Sequence, residues 1–376
     1  MKKILFVIES LGGGGAEKVL TTIVKHLDKK KFDVTVLLVV ETGVYLEEMK
    51  KYCKVQAMLP DCGKLNSLLE KIKYKLDYKF IYTAKTEKVY AKYVQEKYDV
   101  EIAFVEGYAT KFVMGSPNHN SKKLCWVHID MEKNPYADQY FKSIEEEKNV
   151  YKKYDKIICV SYSVKEVLEQ KFGLEDKITV MYNPLDSEEI QKKSVEKIPC
   201  SNTTKLRMVT IGRLEEQKGY DRLIRVLGKI KQETPNFQLW ILGEGSMKHE
   251  LEYLIEENHL KNEVVLLGFQ KNPYKWIAAS DIFVCTSRAE GFSLAIAEAM
   301  ILGIPILSVD CSGPNELLDY GKYGILIDNT DEEIFLMLQA LICENVDLNR
   351  LKKMSEIRGK QFNLKNIMRQ IEELIG

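Results

Sequence analysis

The stretch SDIFVCTSRAEGFSLAIAEAM, residues 280–300, decides the fold class. Its apolar run Ile282–Cys285 predicts a buried strand, a short turn follows, and a helix is expected to begin near Ser293. A strand followed closely by a helix is the repeating unit of α/β proteins that contain parallel sheets.

The same alternation extends over the whole chain. In the first half, apolar strand patterns occur at Ile4–Ile8, Val34–Val40, Val100–Phe104, Leu124–Val127 and Ile157–Val160, with helical patterns such as Glu17–Leu27 and Tyr136–Lys153 between them. In the second half, strands are predicted at Leu206–Ile211, Phe237–Leu242, Val264–Leu267, Ile282–Cys285, Ile304–Val309 and Gly324–Ile327. Helices are predicted between these strands at Tyr220–Lys231, Met247–Glu257, Pro273–Ala279 and Ser293–Leu302. This alternation predicts parallel sheets covered by helices on both faces.

Residues 187–205 lose this periodicity and predict a linker between two domains, residues 1–186 and 206–359. The tail Leu348–Gly376, which begins within the second domain, has a helical pattern. In a chain with two such domains we expect a cleft between them, which the carboxyl ends of the strands would face.

Composition excludes several classes of protein. The chain of 376 residues has 55 basic and 55 acidic side chains, so no global charge predicts nucleic-acid binding. All eight Arg lie from Arg207 onward, so any bidentate arginine clamp on a phosphate must come from the second half. The eight Cys show no C-x-x-C pairing, which favours reduced thiols in a cytoplasmic protein. No apolar run is long enough for a transmembrane helix.

Two glutamates suggest the chemistry of the opening stretch. Glu290 lies in the turn, and Glu298 lies on the helix. The helix start would offer backbone N–H groups to a phosphate, at Gly291, Phe292, Ser293 and Leu294. An ionised carboxylate only accepts hydrogen bonds and suits the hydroxyl-rich part of a ligand. A phosphate together with hydroxyls indicates a nucleotide-activated sugar.

A structural explanation of the same glutamates remains open. Glu290 could complement the helix dipole, and Glu298 could be a solvated surface residue. The surroundings of Glu298 favour burial, since its neighbours are apolar nearly all round the helix: Ala295, Ile296, Ala297, Ala299, Met300 and Ile301. A buried carboxylate needs partners, which a ligand's hydroxyls would supply.

The turns that follow other strands carry further candidates. Arg213 and Lys218 follow the strand Leu206–Ile211, where two cations could hold a diphosphate and stabilise its growing charge as it leaves. Gly243, in Gly-Glu-Gly, is suited to close backbone contact, and backbone groups near Phe269 and Gln270 could meet the edge of a base.

Three further positions complete the candidates. Glu316 is expected at the start of a short helix, and His128 ends a strand of the first domain, although a lone His is often structural. The loop 12–15 contains four glycines, including Gly14 and Gly15, that let a ligand approach the helix behind them. This loop lacks the G-x-G-x-x-G spacing, so a nicotinamide cofactor is weakly supported. The alternative to a ligand-binding loop is a simple flexible turn.

The segment Lys64–Lys97 departs from the alternation because it predicts one long basic amphipathic helix. Its apolar residues have helical spacing, and lysines dominate its polar face. Such a helix can lie on an anionic membrane surface, although an ordinary lysine-rich surface helix is equally compatible.

Together these motifs resemble the family 4 retaining glycosyltransferases, over essentially the whole chain and in the right order. The resemblance rests on GGGAE (13–17), GRLxxxKG (212–219), GEG (243–245), EGFxxxxxE (290–298) and GPxE (313–316). It implies the GT-B fold, which consists of two facing Rossmann-like domains. The C-terminal domain would hold a nucleotide-sugar, the N-terminal domain would lie on the acceptor side, and residues from about 360 would pack back on the N-terminal domain.

The resemblance also implies roles for single residues. Arg213 and Lys218 would bind the donor diphosphate, Glu298 would bind the ribose, and Glu290 would bind the donor sugar. The amides of Gly14, Gly15 and 292–294 would face phosphate or sugar, and His128 would lie near the transferred sugar. No metal and no cofactor would be needed.

The sequence therefore predicts a retaining glycosyltransferase that uses a nucleoside-diphosphate sugar, expected to be a UDP-sugar. The acceptor would be a hydroxyl of a growing or lipid-linked glycan. We expect a cytoplasmic protein, placed at the inner face of the membrane if the Lys64–Lys97 helix binds there. Two alternatives stay open, namely a non-hydrolysing sugar-nucleotide epimerase and a catalytically silent nucleotide-binding partner of another transferase.

Overall fold

Strand β1, Lys2–Ile8, is the first element of a parallel sheet, and its last five residues are buried. The computed structural model describes residues 1–198, 205–234, 236–343 and 345–376. They form two units, of which the first contains Met1–Pro184 together with Lys365–Gly376 and the second contains Leu185–Leu364. The predicted α/β class with parallel sheets is confirmed in both units.

The described strands of the first unit pair in the order β3-β2-β1-β4-β5-β6-β7, and all pairs are parallel. They are β1, β2 (Phe32–Val40), β3 (Lys54–Leu59), β4 (Val100–Ala103), β5 (Lys122–Val127), β6 (Lys156–Cys159) and β7 (Ile178–Val180). The strand order reverses between β1 and β4, where Val7 pairs with Ala103. In open α/β sheets, ligands bind at the carboxyl ends of strands beside such a reversal, the switch point of the sheet.

The helices of the first unit include one from the end of the chain. They are α1 (Gly15–His26), α2 (Leu46–Met49), α3 (Leu68–Thr83), α4 (Thr86–Tyr93), α5 (Tyr108–Val113), α6 (Ile144–Tyr151), α7 (Tyr162–Phe172) and α16 (Leu364–Ile375). Helix α16 buries Met368, Ile371 and Ile375. Its Glu372 accepts a hydrogen bond from the Asp28 backbone at 3.1 Å, so the chain ends packed against elements near its start.

The second unit has its own parallel sheet, and its described strands pair in the order β10-β9-β8-β11-β12-β13. The strands are β8 (Leu206–Ile211), β9 (Phe237–Leu242), β10 (Val264–Gly268), β11 (Ile282–Cys285), β12 (Ile306–Val309) and β13 (Ile325–Ile327). The helices are α8 (Ser187–Ser194), α9 (Tyr220–Lys231), α10 (Lys248–Glu257), α11 (Tyr274–Ala278), α12 (Leu294–Ile301), α13 (Ser312–Leu317), α14 (Asp331–Ile342) and α15 (Leu348–Gly359). The switch point of this sheet lies between β8 and β11, so the strand of the opening stretch stands next to the strand that precedes Arg213.

The linker predicted at 187–205 is wrong over its first part, since residues 187–194 form α8. The Asp186 side chain caps this helix by accepting a hydrogen bond from the Glu189 backbone at 2.9 Å, and Ile190 is buried. A short polar helix with one buried residue has little apolar periodicity, which explains the error. Residues 199–204 lie outside the described residues.

Two predicted long helices are each interrupted. The segment Tyr136–Lys153 contains a 3₁₀ turn at Tyr136–Tyr140 and then α6, which Ser143 caps. The segment Lys64–Lys97 contains α3 and α4, separated where Ala84 adopts an extended backbone. In the described part of the chain, no helix is both long and apolar enough to cross a membrane.

Candidate active site

Lys218 and Glu290 meet at the switch point of the second sheet. Lys218 ends a 3₁₀ turn that follows β8, and Glu290 lies in the turn that follows β11. The Lys218 Nζ lies 2.5 Å from the Glu290 Oε1. The Ser287 hydroxyl donates to the same oxygen at 2.7 Å, and Glu290 is 7% exposed. Glu290 is therefore a nearly buried acceptor that already holds one ammonium and one hydroxyl.

The two turns that carry this pair are tied together by contacts that the sequence did not predict. Gly219 has a φ of +66°, and a Cβ on it would lie 2.1 Å from the Thr286 carbonyl oxygen. The buried Arg222 donates two hydrogen bonds to the same carbonyl, at 3.0 and 2.6 Å. Arg288 binds Asp221 through two N–H···O contacts of 2.9 and 3.0 Å. These contacts hold the two turns together, and none of them involves the side chain of Lys218 or Glu290.

The opening stretch continues into α12, which begins at Leu294 after Ser293. The Ser293 side chain makes no capping hydrogen bond, while Phe292 and Ser293 are both buried. A Cβ on Gly313 would lie 2.5 Å from the Gly291 carbonyl oxygen, so the start of α13 packs directly on this turn. Glu298 is 3% exposed, and its predicted burial is confirmed.

Three predicted residues lie in the loops that follow β9 and β10. Gly243 has a φ of +140°, and a Cβ there would lie 1.9 Å from the Gly212 carbonyl oxygen. This glycine therefore lets two neighbouring loops approach each other closely. Phe269 is 38% exposed. The Gln270 amide donates to the Leu267 carbonyl at 2.7 Å and accepts from the indole N–H of Trp276 at 3.2 Å, so its side chain holds its own loop.

Arg213 follows β8, and Glu316 lies on α13. The Arg213 side chain is exposed at the end of β8. Glu316 was expected at the start of its helix, and this prediction is wrong. Helix α13 begins at Ser312, so Glu316 lies in its last turn. The helix starts earlier because Pro314 is tolerated in a first turn and the Gly313 N–H is held by the Glu290 carbonyl at 2.9 Å.

His128 follows β5 in the first unit, and its backbone N–H donates to the Glu106 Oε2 at 3.0 Å. Burial lowers the pKa of His128 to about 4, so its ring is neutral at pH 7. Among the described residues, nothing binds its buried Nε2. Burial also raises the pKa of Glu106 to about 7. The His128 ring is thus neutral, and the carboxyl group that its backbone N–H binds can hold a proton near neutral pH.

The glycine loop leads into α1, where Gly14 is the residue before the first turn and Gly15 begins the helix. The Glu17 carboxylate lies over this loop, since a Cβ on Gly14 would be 2.4 Å from its Oε2. The predicted contact of Gly14 and Gly15 with phosphate or sugar stays a prediction. Within the described ranges, no three His, Cys, Asp or Glu side chains form a group that could hold a metal ion.

Three polar residues near the two switch points, Glu9, Glu106 and Ser287, were not among the predicted site residues. Glu9 follows β1 and Glu106 follows β4, so the rule that selected His128, a polar residue just beyond a buried strand, would have found both. Ser287 stands three residues before Glu290, but nothing in the sequence shows that its hydroxyl turns toward that carboxylate.

Comparison with known proteins identifies the family. A family model described as Glycosyltransferase Family 4 matches residues 13–189, and one described as Glycosyl transferases group 1 matches residues 191–357. An uncharacterised glycosyltransferase of Methanocaldococcus jannaschii is 31% identical over 294 residues, which is 69% of this chain and 72% of that protein. The chain belongs to glycosyltransferase family 4. It is therefore a glycosyltransferase, as the sequence motifs predict.

One further relative and one solved structure extend this result. An N-acetylgalactosaminyltransferase of Campylobacter jejuni, named for the acceptor N-acetylgalactosamine-N,N'-diacetylbacillosaminyl-diphospho-undecaprenol, is 29% identical over 388 residues and covers 100% of both chains. The structure of Anabaena HepE in complex with UDP-glucose has a TM-score of 0.76 and 20% identity, and covers 100% of this chain and 99% of that one. The likeness to solved structures confirms the GT-B fold.

Proposed function

We propose that this glycosyltransferase moves a sugar from a UDP-sugar to a hydroxyl of a lipid-linked glycan and retains the configuration of the transferred sugar. The observation that carries the proposal is the contact of Lys218 and Ser287 with the nearly buried Glu290 carboxylate at the switch point of the second sheet. Similar proteins support the donor and the acceptor, since HepE was solved with UDP-glucose and the Campylobacter relative is named for a diphospho-undecaprenol acceptor.

In the proposed donor complex, Lys218 and Arg213 bind the diphosphate. The Lys218 ammonium would turn from the Glu290 carboxylate to the phosphate oxygens, and Glu290 would then accept hydrogen bonds from the hydroxyls of the donor sugar. Glu298 would accept from the ribose hydroxyls. The contacts proposed for the backbone are those of Gly243, Phe269 and Gln270 with the base or ribose, and those of Gly291, Phe292, Ser293 and Leu294 with phosphate or sugar.

The proposed reaction breaks the bond between the anomeric carbon and the phosphate oxygen, while the acceptor oxygen bonds to the same face of that carbon. The acceptor proton passes to the leaving phosphate, so neither Glu290 nor Glu298 acts as the base. Lys218 and Arg213 stabilise the charge that grows on the diphosphate. We also propose that His128 lies near the transferred sugar and that Glu316 binds the donor.

We also propose that α3 contacts an anionic membrane, which would bring the enzyme to its lipid-linked acceptor at the cytoplasmic face. Of the residues that the structure describes in this helix, Ile81 alone is buried. Its exposed apolar side chains include Leu68 at 74%, Leu69 at 79% and Leu76 at 65%. Lysines flank these leucines at 71, 73, 75 and 79, which is the composition of a helix that lies in a lipid interface.

A thermal-shift panel followed by a transfer assay tests the proposal. UDP and UDP-sugars should raise the unfolding midpoint, because they bind the folded state, while AMP should not. NMR of the product made on synthetic N-acetylhexosaminyl diphospholipids should then show the anomeric configuration of the donor. An inverted product would exclude retention, and the absence of any shift with uridine nucleotides would exclude the donor class.

A further inference from the structure

A carboxylate and two tyrosines form a cluster at the switch point of the first sheet. Glu9 follows β1, and its Oε2 accepts a hydrogen bond from the Tyr136 hydroxyl at 2.7 Å. The Tyr136 and Tyr140 hydroxyls lie 2.8 Å apart. The second carboxylate oxygen, Oε1, is buried and has no hydrogen-bond partner among the described residues. A buried acceptor without a donor is costly, and a hydroxyl from a ligand would remove that cost.

A line of tyrosine rings extends from this cluster along α3. The ring centroids of Tyr140 and Tyr82 lie 6.2 Å apart, those of Tyr82 and Tyr78 lie 4.7 Å apart, and those of Tyr78 and Tyr74 lie 6.2 Å apart. The three tyrosines of α3 are spaced four residues apart and share one face of the helix. Tyr78 is 48% exposed and Tyr136 is 39% exposed, so the line is accessible to a ligand. We call Glu9, Tyr136, Tyr140, Tyr82, Tyr78 and Tyr74 the tyrosine track.

The chemistry of the tyrosine track fits a chain of sugar rings. A pyranose presents C–H groups on its faces and hydroxyls at its rim, while tyrosine offers an apolar ring with a polar tip. The carboxylate at the end of the track accepts hydrogen bonds only, so it suits a hydroxyl and repels a phosphate. A diphosphate is therefore a poor ligand for this end, and a neutral glycan is a good one.

We propose that the tyrosine track binds the acceptor glycan. Its terminal sugar would donate a hydroxyl to the Glu9 Oε1, and the sugars before it would lie on Tyr82 and Tyr78. This inference rests on the proposed function, because it specifies which residues hold the acceptor of that reaction. Glu9 acts here as a binding residue. It leaves the reacting hydroxyl to a different position on the same sugar.

The test uses the full chain, a UDP-sugar that the wild-type chain accepts, and synthetic α-N-acetylhexosaminyl diphospholipids that carry one or three sugars. Glu9→Gln and Tyr136→Phe should each raise the acceptor KM roughly tenfold, as the loss of a hydrogen bond to a charged group does. The Kd for UDP should be unchanged. Tyr78→Ala should raise the acceptor KM only for the three-sugar acceptor.

Tyr52→Phe and Glu47→Gln are the matched controls. Tyr52 precedes the amino end of β3, and Glu47 is a surface residue paired with Lys50. If the wild-type chain is active and Glu9→Gln and Tyr136→Phe leave the acceptor KM unchanged, the tyrosine track is not the acceptor site. The same conclusion follows if these variants weaken UDP binding as much as they raise the acceptor KM. If the wild-type chain transfers no sugar to either acceptor, the proposed function itself fails, and that result is distinct from the first.

Discussion

Lys218 and Glu290 neutralise each other across the switch point of the second sheet, at an N–O distance of 2.5 Å. Because Glu290 is nearly buried, its charge needs this partner while no donor is bound. A donor diphosphate that attracts the ammonium must therefore be accompanied by hydroxyls that replace it on the carboxylate. The pair favours ligands that carry both groups, as nucleotide-sugars do.

Lys218→Ala should lower kcat at least ~100-fold in a donor-saturated assay, because one preorganised cation is removed from the leaving group. Lys261→Ala is the control, since this exposed lysine pairs with Glu256 at the end of α10. An unchanged kcat for the Lys218 variant would exclude its role in leaving-group stabilisation.

Glu298→Gln should weaken donor binding more than it lowers turnover, because a contact to the ribose is present in both the ground state and the transition state. The expected rise in the Kd for UDP is roughly tenfold or more, from the loss of hydrogen bonds to a charged group. Calorimetric titration measures it. A lower kcat with an unchanged Kd would contradict the assignment to the ribose.

Gly219→Ala should destabilise the chain by more than the roughly 1–3 kcal/mol of left-handed strain alone, since its Cβ would also collide with the Thr286 carbonyl. Gly268→Ala isolates the strain, because Gly268 has the same φ of +66° and its Cβ would lie 3.8 Å from a Glu244 carboxylate oxygen. Thermal unfolding of both variants gives the difference. Equal losses would show that the collision relaxes freely.

Glu106→Gln should become more stable than the wild-type chain as the pH rises. The pKa of Glu106 is raised in the fold, from 4.5 to about 7, so its contribution is fully present below pH 4.5 and is lost as the pH rises through 7. The amide of the Gln variant is neutral over this pH range, so its contribution to stability does not change with pH. Unfolding midpoints measured between pH 5 and 8 should diverge in favour of the variant, and parallel curves would contradict the raised pKa.

Replacing Leu69 and Leu76 together by Gln should reduce sedimentation with vesicles that contain anionic lipid, because their apolar side chains are exposed on α3. Leu336→Gln, on α14 and 50% exposed, is the matched control. Binding should weaken with salt, since lysines contribute to it. Equal sedimentation of the variant and the wild-type chain would remove the membrane contact.

The elements that the sequence predicts best are bounded by turns and buried on one or both sides. The predicted helix Tyr220–Lys231 and strand Phe237–Leu242 coincide with α9 and β9. Strand β3 was missed because it is only partly buried at the sheet edge. Strand β7, of three residues, was also missed, although β13 of the same length was predicted. Short or half-exposed strands carry too little apolar pattern to be distinguished from loops.

The site residues were predictable one by one, but their contacts were not. Lys218 and Glu290 each follow a buried strand, and this position alone marked them. Their pairing depends on β8 lying next to β11. The sequence of neither segment shows that these two strands are neighbours in the sheet. The same holds for Tyr82 and Tyr140, which lie 58 positions apart and meet only in the folded first unit.

The position of α16 has a consequence for how the protein is made. The first unit includes Lys365–Gly376, which are synthesised after every residue of the second unit. The second unit, Leu185–Leu364, has all its residues available earlier. Although domains commonly finish folding in the order of synthesis, here the amino-terminal unit closes last. A prematurely terminated chain would contain a complete second unit and an unfinished first one.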